Sequence, residues 1–167
     1  KPLLVEKPIT LNLKDALELN ELAKNKKVNL YVGHLLLFHP AYLKIKQMIE
    51  NNSIGDIEYI YSNRLNLGTI RKDENVFWSF APHDIALIQF FLKSFPSSIS
   101  SDGSAIIRKN IHDSTITCLK YDNGVMAHIF VSWLHPYKEH KFIIIGSKGM
   151  ISFEDSLKDK PLIYYDK

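Results

Sequence analysis

The sequence predicts an α+β protein in which a short β–α–β unit precedes a larger, mainly antiparallel sheet with helices on one face. The β–α–β unit is indicated by an apolar run at residues 3–5, apolar residues at helical spacing over residues 13–26, and alternating apolar residues at 28–32. The larger sheet is indicated by strand-like segments joined by short turns in the second half of the chain. We therefore predict two domains, 1–36 and 37–167.

Each predicted element has a local signal in the sequence. Asn12 is a candidate N-cap for the first helix, and Pro40 suits the first position of a second helix. Pro82 likewise predicts the start of a third, strongly apolar helix that runs to Lys93. Residues 122–124 predict a hairpin turn, because an Asn-Gly step tolerates positive φ. The predicted strands of the larger sheet are residues 57–65, 99–107, 114–121, 125–134, 141–145, 150–153 and 162–165.

Composition and charge exclude several classes of function. The 167 residues carry a net charge of only +3, and Lys and Arg never occur in runs longer than two, so we predict no nucleic-acid partner. We also predict no membrane association, because every apolar stretch is too short to span a bilayer. The single cysteine, Cys118, cannot form an internal disulfide, which favours the cytoplasm. We interpret the chain as the C-terminal portion of a longer protein.

The first candidate catalytic motif is Glu6-Lys7-Pro8, which directly follows the apolar run at residues 3–5. The C-terminal ends of strands are where α/β proteins place their chemistry. A lysine there can hydrogen-bond a substrate hydroxyl, and its positive charge favours loss of the hydroxyl proton. Lys7 is therefore a candidate catalytic residue, whereas a surface Glu and Lys beside a loop proline is the simpler alternative.

The second candidate motif is His83-Asp84, which the pattern places in the first turn of the helix predicted to begin at Pro82. Partial burial and the positive helix N-terminus would both disfavour the imidazolium form of His83. A neutral imidazole can accept the proton of an alcohol during its oxidation. The simpler alternative is a histidine packed at a helix entry.

The polar and aromatic segment before this helix has the composition of a sugar site. An arginine pairs with carboxylate or diphosphate groups, an asparagine hydrogen-bonds hydroxyls, and a tryptophan stacks on a sugar ring. Asp84 is included among the candidate polar contacts. The candidate substrate-binding residues are Arg64, Asn66, Arg71, Asn75, Trp78 and Asp84.

These motifs together resemble the Gfo/Idh/MocA oxidoreductases. The Glu-Lys-Pro motif matches the family signature, and the ordered string from Arg64 to Asp84 is similar to the branch of UDP-N-acetylglucosaminuronate 3-dehydrogenases. The resemblance implies NAD or NADP as cofactor and hydride transfer from a sugar hydroxyl, at C3 in that branch. It implies catalytic roles for Lys7 and His83. Cofactor contacts are expected from Glu6, Lys7, Pro8 and His34.

Two departures from the family pattern bear on function. The glycine-rich dinucleotide fingerprint is absent, and the family carries it in its N-terminal half, so we expect this chain alone to be inactive. Ser79 stands where the family commonly has an aspartate, four residues before the histidine. The resemblance therefore leaves open whether a carboxylate assists catalysis in this chain.

Two other functions compete with this interpretation. One is a non-catalytic module for oligomerisation or sugar binding, because apolar residues on both faces of the later strands predict a sheet covered by a second subunit. In either case we expect a homo-oligomer that forms through the sheet face. The other is a metal-dependent phosphohydrolase, since His83-Asp84 and His112-Asp113 are both His-Asp pairs. We predict no metal site, because the second pair precedes a strand in a β-rich region.

Overall fold

The β–α–β unit forms as the sequence predicts. The computed structural model describes residues 1–159 and 162–167. In it, β1 (Leu3–Val5) and β2 (Leu30–Val32) pair in parallel and are connected by α1 (Leu13–Asn25). The side chain of Asn12 caps α1 by accepting a 2.8 Å hydrogen bond from the Lys14 amide. No residue of α1 is buried in the described structure, and its leucines are exposed there.

Two helical segments lead from β2 to the larger sheet. A short 3₁₀ helix (Leu35–Phe38), which the sequence analysis does not predict, precedes α2 (Pro40–Glu50). Pro40 takes the first helical position as predicted, and His39 Nδ1 accepts a hydrogen bond from the Ala41 amide at 3.2 Å. Across the described residues, none of the helices combines the length and the hydropathy that crossing a bilayer requires.

The strands of the larger sheet are β3 (Ile57–Leu65), β4 (Ser98–Ser104), β5 (Ser114–Lys120), β6 (Met126–Ser132), β7 (Glu139–Gly146), β8 (Gly149–Glu154) and β9 (Leu162–Asp166). Their order in the sheet is β4-β5-β6-β3-β7-β8-β9. All described neighbours pair antiparallel except β3 and β6, which lie parallel in the middle of the sheet. The parallel pair arises because helix α3 (Val76–Leu92), β4 and β5 lie between these strands in the sequence.

One face of this sheet carries the hydrophobic core. Ile60, Ile129 and Ile144 point from three neighbouring strands into the core and are fully buried. Helix α2 packs on the same face through Tyr42, whose ring contacts Phe142 edge-on. This arrangement confirms the prediction that helices cover one face, and the opposite face is left without a helix among the described residues.

The start of the third helix differs from the prediction. Helix α3 spans Val76–Leu92 and begins six residues before Pro82, which lies inside it. Asn75 caps the helix by accepting a hydrogen bond from the Trp78 amide. Burial of apolar residues in the first two turns offsets the backbone hydrogen bond that a proline cannot donate. His83 therefore lies in the middle of α3, and the predicted effect of the helix N-terminus on its charge is wrong.

The loop before β5 is fixed to the sheet by Asp113, which is fully buried. Its Oδ2 accepts hydrogen bonds from the Ile106 and Ile107 amides, at 2.7 and 2.8 Å. Its Oδ1 accepts a hydrogen bond from Trp133 Nε1 at 2.5 Å. The adjacent His112 carbonyl accepts from the Val76 amide, so this loop also supports the start of α3.

We expect Asp113→Ala to lower the free energy of unfolding by about 3 kcal/mol, because one buried donor and two partly buried donors lose their acceptor. Denaturant unfolding measures this change. Asp122→Ala, at an exposed turn position, is the matched control and should change the stability little. Equal stabilities of the two variants would contradict this role for Asp113.

Candidate active site

Lys7 joins the β–α–β unit to α3. It follows β1, and its Nζ donates a 2.6 Å hydrogen bond to the Ser79 carbonyl, 72 residues further along the chain. Partial burial lowers the pKa of Lys7, and the positive charges of Arg71 and Arg64 lower it further. The Glu74 carboxylate is the strongest influence in the opposite direction. The Lys7 amine is therefore held at the backbone of Ser79, one helical turn before His83.

His83 is half-buried on α3 and is held neutral by its surroundings. Burial lowers its pKa to about 4, and the positive charges of Arg64 and Lys7 act in the same direction. Asp84 opposes this shift. The neutral imidazole that the sequence analysis predicts is therefore present, although desolvation and nearby cations cause it and the helix terminus does not.

His34, which follows the end of β2, interacts electrostatically with Lys7 and His83. Burial lowers its pKa, and the charge of Lys7 adds to this effect, while His34 in turn lowers the pKa of His83. Nδ1 of His34 and Nδ1 of His83 are buried without a hydrogen-bond partner among the described residues. Buried polar atoms are rarely left unpaired in native proteins. The two unpaired ring nitrogens therefore indicate a site that binds a ligand. Lys7, His34 and His83 are hereafter the Lys–His cluster.

Arg64 and Asp84, which are predicted to contact substrate, form a buried ion pair. Arg64 Nε donates to Asp84 Oδ2 at 2.9 Å, and Arg64 Nη2 donates to Asp84 Oδ1 at 3.0 Å. Their side chains are only 8% and 1% exposed. The guanidinium and the carboxylate pair with each other and join β3 to the segment of α3 that carries His83, and a substrate contact from either residue stays a prediction.

A second charged group lies at the start of α3. Arg71 Nε pairs with Glu74 Oε1 at 2.9 Å, and the same carboxylate oxygen accepts a 2.8 Å hydrogen bond from Ser79 Oγ. Glu74 is absent from the site residues predicted from the sequence. Its role in the site depends on a hydrogen bond with Ser79, and only the first turn of α3 brings the two side chains together. The serine in place of the expected aspartate thus has a carboxylate bound to it.

The other predicted residues take different positions. The Glu6 carboxylate lies against Gly33, at the turn that leads to His34. Asn75 is the N-cap of α3, and the backbone N–H of Asn66 donates a hydrogen bond to the Ser132 carbonyl. Pro8, His34 and Trp78 line an apolar cleft of about 350 Å³ between the β–α–β unit and α3. Of the predicted cofactor residues, Pro8 and His34 therefore line this cleft.

A family model matches most of this chain. Residues 42–152, more than half of the chain, match the family described as the GFO/IDH/MocA C-terminal domain. The chain belongs to the Gfo/Idh/MocA family. This confirms the resemblance to the family that the sequence motifs indicate.

Known proteins match this chain along nearly its whole length. The myo-inositol 2-dehydrogenase of Thermotoga maritima is 25% identical over 100% of this chain and 53% of its own length. The WlbA dehydrogenase of Bordetella pertussis, solved with NADH and UDP-GlcNAcA, superposes with a TM-score of 0.86. It is 19% identical, and the match covers 99% of this chain and 56% of WlbA. The chain thus spans about half the length of the relatives it matches.

The metal-dependent alternative requires a cluster of ligating side chains. Across residues 1–159 and 162–167, no group of three or more His, Cys, Asp or Glu side chains is arranged to hold a metal ion. His83 lies on α3 and His112 in the loop before β5, so the two His-Asp pairs come from different elements.

The Arg64–Asp84 pair makes a stability prediction. Asp84→Ala should lower the free energy of unfolding by about 3–5 kcal/mol, because the Arg64 guanidinium is left buried and uncompensated. The double variant Arg64→Met, Asp84→Leu should recover most of this loss. Denaturant unfolding of the three proteins measures the difference. A double variant as unstable as the single one would contradict the assignment.

Proposed function

We propose that this chain is the C-terminal part of an NAD- or NADP-dependent dehydrogenase that oxidises a hydroxyl group of a sugar or polyol. The observation that carries the proposal is the Lys–His cluster, in which a lysine and a neutral histidine from distant parts of the chain meet. Family membership supports it, because the relatives include dehydrogenases of inositols.

The chemistry follows from the charges of the two groups. His83 is neutral and accepts the proton of the substrate hydroxyl. The Lys7 ammonium hydrogen-bonds the hydroxyl oxygen and stabilises the negative charge that develops there. A bound nicotinamide would supply the hydride acceptor, so that the hydroxyl would become a carbonyl while His83 would hold the proton it has removed.

The residues near the cleft fit a nicotinamide cofactor. The unpaired Nδ1 atoms of His34 and His83 can form hydrogen bonds with a bound ligand. The wall of the cleft is largely apolar. Pro8 lines the same cleft, and the Glu6 carboxylate lies against Gly33, next to His34. Both residues would complete the cofactor contacts. Under this proposal, Pro8 and His34 contact the cofactor, and Lys7 lies between cofactor and substrate.

We further propose a nucleotide-linked sugar, oxidised at C3, as the substrate. Arg71 is 56% exposed, so its guanidinium can reach a diphosphate or carboxylate while Nε contacts Glu74. Asn66, Asn75 and Trp78 border the same segment and would contact the sugar. Oxidation of UDP-N-acetylglucosaminuronate in preference to myo-inositol by the complete protein would support this substrate, and the reverse preference would contradict it.

Residues 1–36 fit the edge of a nucleotide-binding domain that continues outside this chain, and residues 37–167 form the substrate domain. The parallel pair of β1 and β2 is the arrangement found in such domains. The leucines of α1 are exposed, between 39% and 75%, and would be covered by the remainder of that domain. We accordingly expect the isolated chain to bind NAD weakly and to be inactive, which calorimetry can test.

The single cysteine is consistent with a reducing compartment. Cys118 is a free thiol on β5. Because reducing compartments keep such thiols unpaired, the same proposal places the protein in the cytoplasm.

Replacing His83 in the complete protein tests the central step. We expect His83→Ala to lower kcat by about 10²–10⁴-fold, because the base for the hydroxyl proton is lost. Lys7→Met should also lower kcat, whereas Lys14→Met, on exposed α1, is the matched control and should not. Normal kcat in His83→Ala with the best substrate would contradict the proposal.

The alternative of an oligomerisation module is favoured by the second face of the sheet. Ile116, Met126, Ile163 and Tyr165 point away from the helices and are between 37% and 47% exposed. A sheet face this apolar is usually covered. We propose that a second copy of the chain covers it, in an active or an inactive protein.

Charges on this face should prevent self-association. We expect light scattering to give a multiple of the chain mass for the unchanged protein and a lower mass for the double variant Ile116→Glu, Ile163→Glu. Leu67→Glu is the control, since Leu67 is 59% exposed in the loop after β3. A monomeric unchanged protein would contradict the proposed interface.

A further inference from the structure

Glu74 is the main counter-charge of the Lys7 ammonium. Its side chain is only 15% exposed, although it lies in the loop that precedes α3. Among the charges that act on Lys7, Glu74 is the strongest that favours the ammonium form, whereas burial, Arg71 and Arg64 all disfavour it. A half-buried lysine without such a carboxylate would lose its proton more readily.

Ser79 connects the two groups. Its backbone carbonyl accepts the hydrogen bond from Lys7 Nζ, and its hydroxyl donates to Glu74 Oε1. One residue therefore fixes both the lysine and the carboxylate. Arg71 Nε holds the same carboxylate oxygen from the other side at 2.9 Å, so the Glu74 side chain has two partners that fix its position.

We propose that Glu74 is a positioning residue for Lys7: its carboxylate, held by the Ser79 hydroxyl and by Arg71 Nε, supplies the counter-charge for the lysine that the Ser79 carbonyl binds. This inference deepens the proposed function and rests on it for the role of Lys7. A carboxylate that the sequence resemblance expects at residue 79 is supplied here from residue 74, through the Ser79 hydroxyl. The reaction then has a charged hydrogen-bond donor near neutral pH, which a desolvated lysine alone would not guarantee.

The first test measures the titration of Lys7 in the complete protein without any substrate. Labelling of the Lys7 amine by fluorodinitrobenzene, followed by mass spectrometry at a series of pH values, reports its pKa because only the neutral amine reacts. We expect Glu74→Gln to lower this pKa by roughly one unit, since an opposing charge is removed. Glu74→Asp keeps the negative charge, so the pKa of Lys7 in this variant should stay close to that of the unchanged protein.

Two further variants keep the result interpretable. Asp73→Asn removes the same charge from the neighbouring exposed residue and should leave the Lys7 pKa unchanged. Ser79→Ala removes the hydroxyl that anchors Glu74 without changing any charge, and should give a smaller shift in the same direction as Glu74→Gln. Thermal unfolding of each variant shows whether it is folded.

The second test measures the activity of the complete protein against pH. In Glu74→Gln the alkaline limb of kcat should move to lower pH by the same amount as the Lys7 pKa, and Lys7→Met should abolish the effect of Glu74→Gln. An unchanged Lys7 pKa in Glu74→Gln, or an equal shift in Asp73→Asn, would overturn the assignment of Glu74. A shifted Lys7 pKa without any dehydrogenase activity would support the Glu74 assignment and contradict the proposed function.

Discussion

The hydrogen bond from the Lys7 ammonium to the Ser79 carbonyl is the interaction on which the site depends. It joins the end of β1 to α3 across 72 residues of sequence, at a length of 2.6 Å. A charged donor makes a stronger hydrogen bond than a neutral one, so this contact can hold the lysine on the helix that carries His83. Without it, the two groups proposed to act on one hydroxyl would belong to separately packed elements.

The charged groups around His83 form cation–carboxylate pairs, and the cations of these pairs still lower the pKa of the imidazole. Arg64 is neutralised by Asp84 through two hydrogen bonds, and Lys7 is opposed by Glu74 through Ser79. The two cations nevertheless lower the pKa of His83, in addition to the effect of burial. The same cations that need carboxylates for their own burial thus keep the imidazole neutral. This accounts for the presence of two buried or half-buried acids in a site whose proposed chemistry uses a lysine and a histidine.

The sequence was sufficient for the elements whose signals are local. The β–α–β unit follows from the Asn12 cap and the apolar periodicity, and the strand segments of the larger sheet follow from alternation and turn residues. The start of α3 is not predictable in this way, because Pro82 signals a helix start although tertiary burial extends the helix back to Val76. The predicted neutral form of His83 is therefore correct on the ground of burial, whereas the predicted contribution of the helix N-terminus is wrong.

The partners within the site depend on the tertiary structure. Arg64 and Asp84 are twenty residues apart on β3 and α3, and nothing local distinguishes an ion pair between them from two substrate contacts. The parallel pairing of β3 with β6 has the same origin, since it depends on a connection that runs through α3 and two strands. Glu74 becomes significant only when the first turn of α3 places it beside the Ser79 hydroxyl. Motifs could therefore identify the lysine and the histidine, but not the residues that set their charges.

The most direct measurement is the titration of the His83 imidazole by NMR in the complete protein, with and without Lys7→Met. His83→Gln assigns the resonance. The account predicts a pKa of about 4 in the unchanged protein and a higher pKa in Lys7→Met, because the charge of Lys7 disfavours the imidazolium. A pKa close to the ordinary value of about 6.5 that does not respond to the loss of Lys7 would contradict the convergence of the two groups.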